Sequence, residues 1–183
     1  LQAFRLHLAL GGKTLDVGPQ QVSFRIGSAV EVSSSEVFKL EYQDSAKLAT
    51  LSSAQVEKRV VLTEIPDFQR EDVSRWEELA GRQQAFLRKL TELKAALVIS
   101  LDRQSQTGSG AGNGRLIDPE NRGSPNASAA LPWIRVHSAD AVRIYDGLQQ
   151  GPNPGIVSLS VAAPVERSVK LRNVVGLLRG SDA

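Results

Sequence analysis

SRWEELAGRQQAFLRKLTELKAALVISL, residues 74–101, decides how this chain folds. Trp76, Leu79, Ala80, Phe86, Leu87, Leu90 and Leu93 recur at the 3.6-residue period, with Gln83 and Lys94 the polar members of the same stripe. Glu77, Glu78, Arg82, Arg88, Lys89 and Glu92 fill the other faces. That spacing predicts a helix docked by one stripe. Ser74 with Glu77 three residues later fits a capping box at its start. The run Ala95 to Leu101 follows without a loop and shows no alternation, as expected of a strand covered on both faces.

Upstream, Lys58 to Ile65 is rich in β-branched residues and stops at Pro66, which cannot donate to a ladder. Strand, helix and strand make a βαβ unit with a parallel pair and a right-handed crossover. Downstream, residues 102–131 turn rich in Gly, Ser, Asn and Pro, a length that inside a domain suits a functional flap or a disordered excursion. Leu131 to His137 reads as a further strand. Ser138 caps a helix from Ala139 to Gln149, whose buried stripe would be Val142, Tyr145 and Leu148. Gly151-Pro-Asn-Pro-Gly155 ends that helix, and Ile156 to Ala162 is again a strand, followed by one or two more from Val165 to Arg179.

The N-terminal part is simpler. Phe4, Leu6, Leu8 and Leu10 alternate with polar or small residues, Gly11-Gly12 suits a tight hairpin turn, and Lys13 to Val17 alternates again. Gln21 to Ile26 and Glu36 to Tyr42 read as two short strands of a half-solvated sheet, separated by Ser33-Ser34-Ser35. The whole pattern predicts an α/β domain: a small mixed sheet or open barrel flanked by two helices, with a terminal strand pair.

Composition narrows the functions. With 183 residues, 41% of them hydrophobic, one domain with a core is expected. Lys and Arg total 22 against 20 Asp and Glu, and the few aromatic residues do not interleave with bases, which argues against a nucleic-acid partner. Cysteine is absent, so thiolate metal sites and cysteine nucleophiles are excluded. No apolar run reaches the ~18 residues of a membrane span. The start at Leu1, with no initiator methionine, suggests a piece of a longer chain.

Residues that could carry chemistry are few. Thr107 to Gly114 is glycine-rich, but Pro119 and Pro125 leave no helix start to hold a phosphate. His7 reads as a structural histidine on an alternating strand. His137 lies between a strand end and a helix N-terminus, where a phosphohistidine would be stabilised, although the neighbouring residues lack a carrier motif. No histidine stands at metal-ligand spacing from another donor, so no metal or cofactor is expected to bind this chain. Nothing resembles a nucleophile elbow.

Val60 to Ile99, with its β-branched strand, helix and Lys94-Ala-Ala-Leu-Val-Ile99 strand, resembles a protease-associated domain, as does Leu131-Pro-Trp-Ile-Arg-Val-His-Ser-Ala-Asp-Ala141. The sequence departs at Glu57-Lys58-Arg59, where Gly-Lys is common, and at Lys94, where glycine is common. Leu171 to Asp182 is similar to the strand that leads to the first metal ligands in secreted co-catalytic zinc aminopeptidases. The resemblance implies a β/β/α swivelling-type fold and a non-catalytic accessory domain over residues 11–165. It implies that 1–10 is a strand belonging to or pairing with the peptidase domain, and that 166–183 leads into that domain; Leu1 to Leu10 would pair with Val169 to Leu178. It further implies a zinc ion in the parent peptidase, a peptide or protein substrate, the chain's own peptidase domain as partner, and an extracytoplasmic, secreted or periplasmic, location. On the segment 102–131 the candidates for substrate access are Asn113, Arg115 and Asp118. The alternative is a free-standing module that grips a peptide or glycan.

Overall fold

The computed structural model describes residues 4–25, 29–64, 76–103 and 131–162. The strands are β1 (Phe4–Leu10), β2 (Lys13–Val17), β3 (Val22–Arg25), β4 (Val30–Lys39), β5 (Val60–Thr63), β6 (Leu97–Leu101), β7 (Trp133–Val136) and β8 (Gly151–Val161). The helices are α1 (Ser45–Thr50), α2 (Ser53–Val56), α3 (Trp76–Glu92) and α4 (Ala139–Asp146). These eight strands of the described residues form one mixed sheet in the order β2-β1-β8-β4-β5-β6-β7-β3. The outermost strands, β2 and β3, are joined by residues 18–21 alone. Laid flat, eight strands would hold the two edges about 34 Å apart, while so short a link reaches at most about 18 Å. The sheet therefore curls towards closure, the open barrel that the sequence pattern predicts.

Curling separates two cores. Inside lie Leu6, Leu8, Leu10, Val37, Val60, Leu62, Leu97, Ile99, Ile134, Val136 and Val157, and α4 closes the space with Ala141, Val142, Ile144 and Tyr145, joined by Leu148 just after it. Outside, α3 lays Phe86 and Leu90, with Leu93 of the turn after it, on Phe38, Leu40, Val61 and Val98, joined by Leu51 and Val56 from around α1 and α2. β5 and β6 lie between the two cores and every residue in them is buried, which is why Leu97 to Leu101 lacks alternation. Fully burying each large side chain contributes about 2 kcal/mol.

The β1–β2 hairpin forms as expected, with Gly11 and Gly12 at φ of 58° and 74° in its turn. α3 ends in a Schellman motif: Ala95 N–H donates to Leu90 C=O and Lys94 N–H to Thr91 C=O, with Lys94 left-handed at φ 58°. The start of this helix before Trp76, including the Ser74–Glu77 box, lies outside the described residues.

Three expectations are corrected. Ser33 to Ser35 do not separate two strands but lie within β4, where register shifts between Val32, Ser35 and Val37 mark bulges that let a ten-residue strand bend with the barrel. Gly151 to Gly155, expected to end a helix reaching Gln149 ahead of a strand from Ile156, is itself the first half of β8, and α4 ends earlier, at Asp146. Pro152 and Pro154 are tolerated there because β1 reaches only to Gly155, so residues 151–154 have β4 on one side and no β1 partner on the other. Finally, the described residues hold four α-helices where two were expected: α1 begins at Asp44, which accepts from Lys47 N–H at 2.8 Å, and α2 at the Ser52–Gln55 capping box. Both sides of β1 are occupied, by β2 and β8. Its suggested partner, residues 169–178, lies outside the described residues.

Candidate functional site

Four neighbouring strands, β4, β5, β6 and β7, run parallel. In open α/β sheets the crevice beyond the carboxyl ends of such strands is where ligands bind, because side chains from separate loops converge there. Here those ends deliver Lys39, Glu64, Asp102 with Arg103, and His137 with Ser138 in turn. The antiparallel partner β3 brings the start of its strand to the same rim beside β7, and His137 N–H donates to Gln21 C=O at 2.7 Å.

One group at the rim is a charged cleft. Arg103 binds both oxygens of Glu64, at 2.8 and 2.7 Å, and both oxygens of Asp146, linking the ends of β5 and β6 to α4. The hydrogen bond from Arg103 holds the Asp146 carboxyl below its ordinary value. Lys39 is buried, donates to Tyr145 C=O and Leu148 C=O at 2.9 Å each, and lies 4.2 Å from the Tyr145 ring centroid. It thus neutralises the negative end of α4. Burial pushes the Tyr145 phenol up, helped by Glu64 and Glu41. Tyr42, Gln43 and Glu41 complete the wall of a cleft of about 280 Å³. Two buried polar atoms nearby, Tyr42 Oη and Thr63 Oγ1, have no hydrogen-bond partner among the described residues.

The second group is a relay. Asp102 Oδ2 lies 3.1 Å from His137 Nδ1, and His137 Nε2 lies 3.0 Å from Ser23 Oγ. Asp102 and His137 are 4% and 7% exposed, while Ser23 is half-buried. An ionised carboxylate only accepts, so Nδ1 carries the proton and Nε2 presents its lone pair to the serine hydroxyl. Both ring nitrogens of His137 are thus engaged and the ring is buried, which gives no support to the phosphohistidine alternative. The two tryptophan-side neighbours are structural: Trp133 Nε1–H donates to the buried Ser100 Oγ at 2.9 Å, and the Arg135 guanidinium lies 5.6 Å from the Trp133 ring centroid.

His7, read as structural, pairs with Asp16 across the hairpin at 2.7 Å on the surface. Asn113, Arg115 and Asp118 lie outside the described residues, as does the glycine-rich run. Sequence reading singled out His137 but neither of its partners. Ser23 is 114 positions away and Asp102 35, and only the strand order β6-β7-β3 brings them together. Among the described residues no group of three His, Asp or Glu side chains is placed to hold a metal ion, and no helix is long and apolar enough to cross a membrane.

No family model matches the chain, and no curated protein matches it in sequence. Among solved structures, that of a Peptidase M28 precursor from Shewanella amazonensis SB2B is similar at a TM-score of 0.49 and 15% identity, over 90% of this chain and 36% of that one. The chain thus spans about a third of that protein's length. The likeness is loose, and what that peptidase does is a property of that protein.

Proposed function

We propose that this domain is a protease-associated accessory domain of a zinc-dependent exopeptidase, shaping substrate access or making protein contact without itself performing the peptidase reaction. The observation that carries the reading is conformational. Lys58 lies in the stretch Glu57-Lys58-Arg59, where the resemblance leads one to expect Gly-Lys, and Lys94 where it leads one to expect glycine; among the described residues these two lysines are the non-glycine residues with positive φ, 60° and 58°. Their backbones meet, Lys58 N–H donating to Lys94 C=O at 2.9 Å, so the two turns that deliver β5 and β6 side by side are built as a pair. Backbones that favour glycine thus stand at both departures from the expected pattern, which supports a shared fold with altered side chains.

The zinc ligands, a histidine and aspartate pair, would be encoded soon after Ala183. Reading the transcript beyond that codon is the test: a His-x-Asp within a few residues is expected, and a stop codon would overturn the reading in favour of a free-standing peptide- or glycan-binding module. Purified chain that hydrolysed aminoacyl or dipeptide substrates with added zinc, above a blank, would also sink it.

A further inference from the structure

We propose that Ser23, His137 and Asp102 form a nucleophilic relay and that Ser23 accepts acyl groups from short carboxylic esters. A Ser–His–Asp constellation is recognised by geometry and roles rather than by position in a sequence. The nucleophile must touch the base, and the base must be oriented by a third group. Both contacts are present: 3.0 Å from Ser23 Oγ to His137 Nε2 and 3.1 Å from His137 Nδ1 to Asp102 Oδ2. The connectivity is the productive one, with the carboxylate on Nδ1 and the hydroxyl on Nε2. Burial is graded in the same sense, since the orienting carboxylate and imidazole are enclosed and the serine is half-open.

Each member is fixed by backbone that does other work. Asp102 N–H continues the parallel ladder to Val136 C=O at 3.0 Å, and His137 N–H continues the antiparallel one to Gln21 C=O. The base and its orienter are therefore preorganised rather than held by loops. An oxyanion needs a donor beside the nucleophile. β3 is an outer strand of the sheet; Gln21 C=O accepts from His137 N–H and Ser23 pairs with Arg135, so both turn their backbone towards β7. By alternation, Phe24 N–H, the next along the chain from Ser23, points to the side away from β7.

The step balances as follows. Ser23 Oγ forms a bond to the ester carbonyl carbon while its proton passes to His137 Nε2 and the carbonyl π pair moves onto oxygen, next to Phe24 N–H. Asp102 stabilises the imidazolium through Nδ1–H. Collapse breaks the bond to the leaving alkoxide, which takes the proton from Nε2, and leaves acyl-Ser23; water repeats the sequence and releases the carboxylic acid. No metal and no redox partner is required, so the proposal stands or falls independently of the zinc peptidase reading.

The 183-residue chain is incubated in two arms, native and unfolded in urea, with diisopropyl fluorophosphate and separately with p-nitrophenyl acetate, digested with trypsin and weighed. The peptide from Thr14 to Arg25 contains Ser23 as its single serine. Expected is a phosphoryl adduct, with loss of fluoride, and an acetyl adduct on Ser23 in the native arm alone. Ser23→Ala abolishes both, and Asp102→Asn slows labelling about a hundredfold or more. Absence of native labelling at millimolar probe, or equal labelling of native and unfolded chain, overturns the proposal. The comparison of arms needs no variant to fold.

Discussion

The two halves of the sheet that meet at β4 are built on different physics. On one side β2, β1, β8 and β4 are antiparallel, with a two-glycine turn joining β1 to β2; on the other β4, β5, β6 and β7 are parallel, with α1 and α2 crossing from β4 to β5 and α3 from β5 to β6. The antiparallel half is fixed by close backbone approach and presents alternating side chains. In the parallel half β5 and β6 are buried on both faces, and the charged groups that follow them, Glu64, Asp102 and Arg103, stand at the strand ends beside Lys39 and His137.

The antiparallel half breaks most sharply at Gly155, which sits opposite Leu10 at φ 151°; a Cβ there would fall 2.5 Å from both Ala9 C=O and Leu10 Cδ2. Gly155→Ala adds steric overlap with backbone to a conformation that L-residues rarely adopt, and should destabilise by about 3 kcal/mol, lowering Tm by roughly 9 °C. A change below a third of that in a thermal melt would mean that the β1–β8 contact is slack. The same glycine shows why sequence reading went wrong here. Gly151-Pro-Asn-Pro-Gly155 carries every sign of a break, and what makes it a strand is its neighbour β4 on one side and the end of β1 on the other, neither of which is local.

In the parallel half the corresponding lesion improves matters. Lys94→Gly relieves the left-handed residue of the α3 Schellman turn and should stabilise by about 1 kcal/mol, raising Tm by about 3 °C. The partner lost, Glu57 at 4.0 Å on the surface, is worth little. An unchanged or lower Tm would show that the turn is not strained. Helix, strand and turn were legible here because their signals lie within 28 residues of each other, as was the β1–β2 hairpin. The Ser23–His137–Asp102 relay was not, because strand order is set by which faces can be buried together, and no local spacing encodes it. α1 and α2 did leave a signal, the Asp44 and Ser52 caps, inside a stretch too polar to show a stripe.

The smallest expected effect lies where the halves join, at the cleft between Lys39 and Arg103. Tyr145 is buried inside the barrel, and its phenol ionises above its ordinary value of 10.0 in the folded chain, through burial first and then through Glu64 and Glu41. The folded state thus retains a proton that the unfolded chain releases, so this contribution is whole below pH 10 and drains away as pH rises from there. The urea midpoint of the wild type should therefore fall more steeply above about pH 10 than that of Tyr145→Phe. Asp146 works in the opposite direction. Its carboxyl is depressed below 3.8 by the hydrogen bond from Arg103, so its contribution is present above that value and disappears as pH falls through the folded one. Being half-exposed, it contributes less. Asp146→Asn should then weaken the chain slightly at neutral pH and converge with the wild type in acid. If the two stayed parallel across that range, Arg103 would owe its place to Glu64 alone, and α4 would be held to the parallel strands by Lys39 and apolar packing.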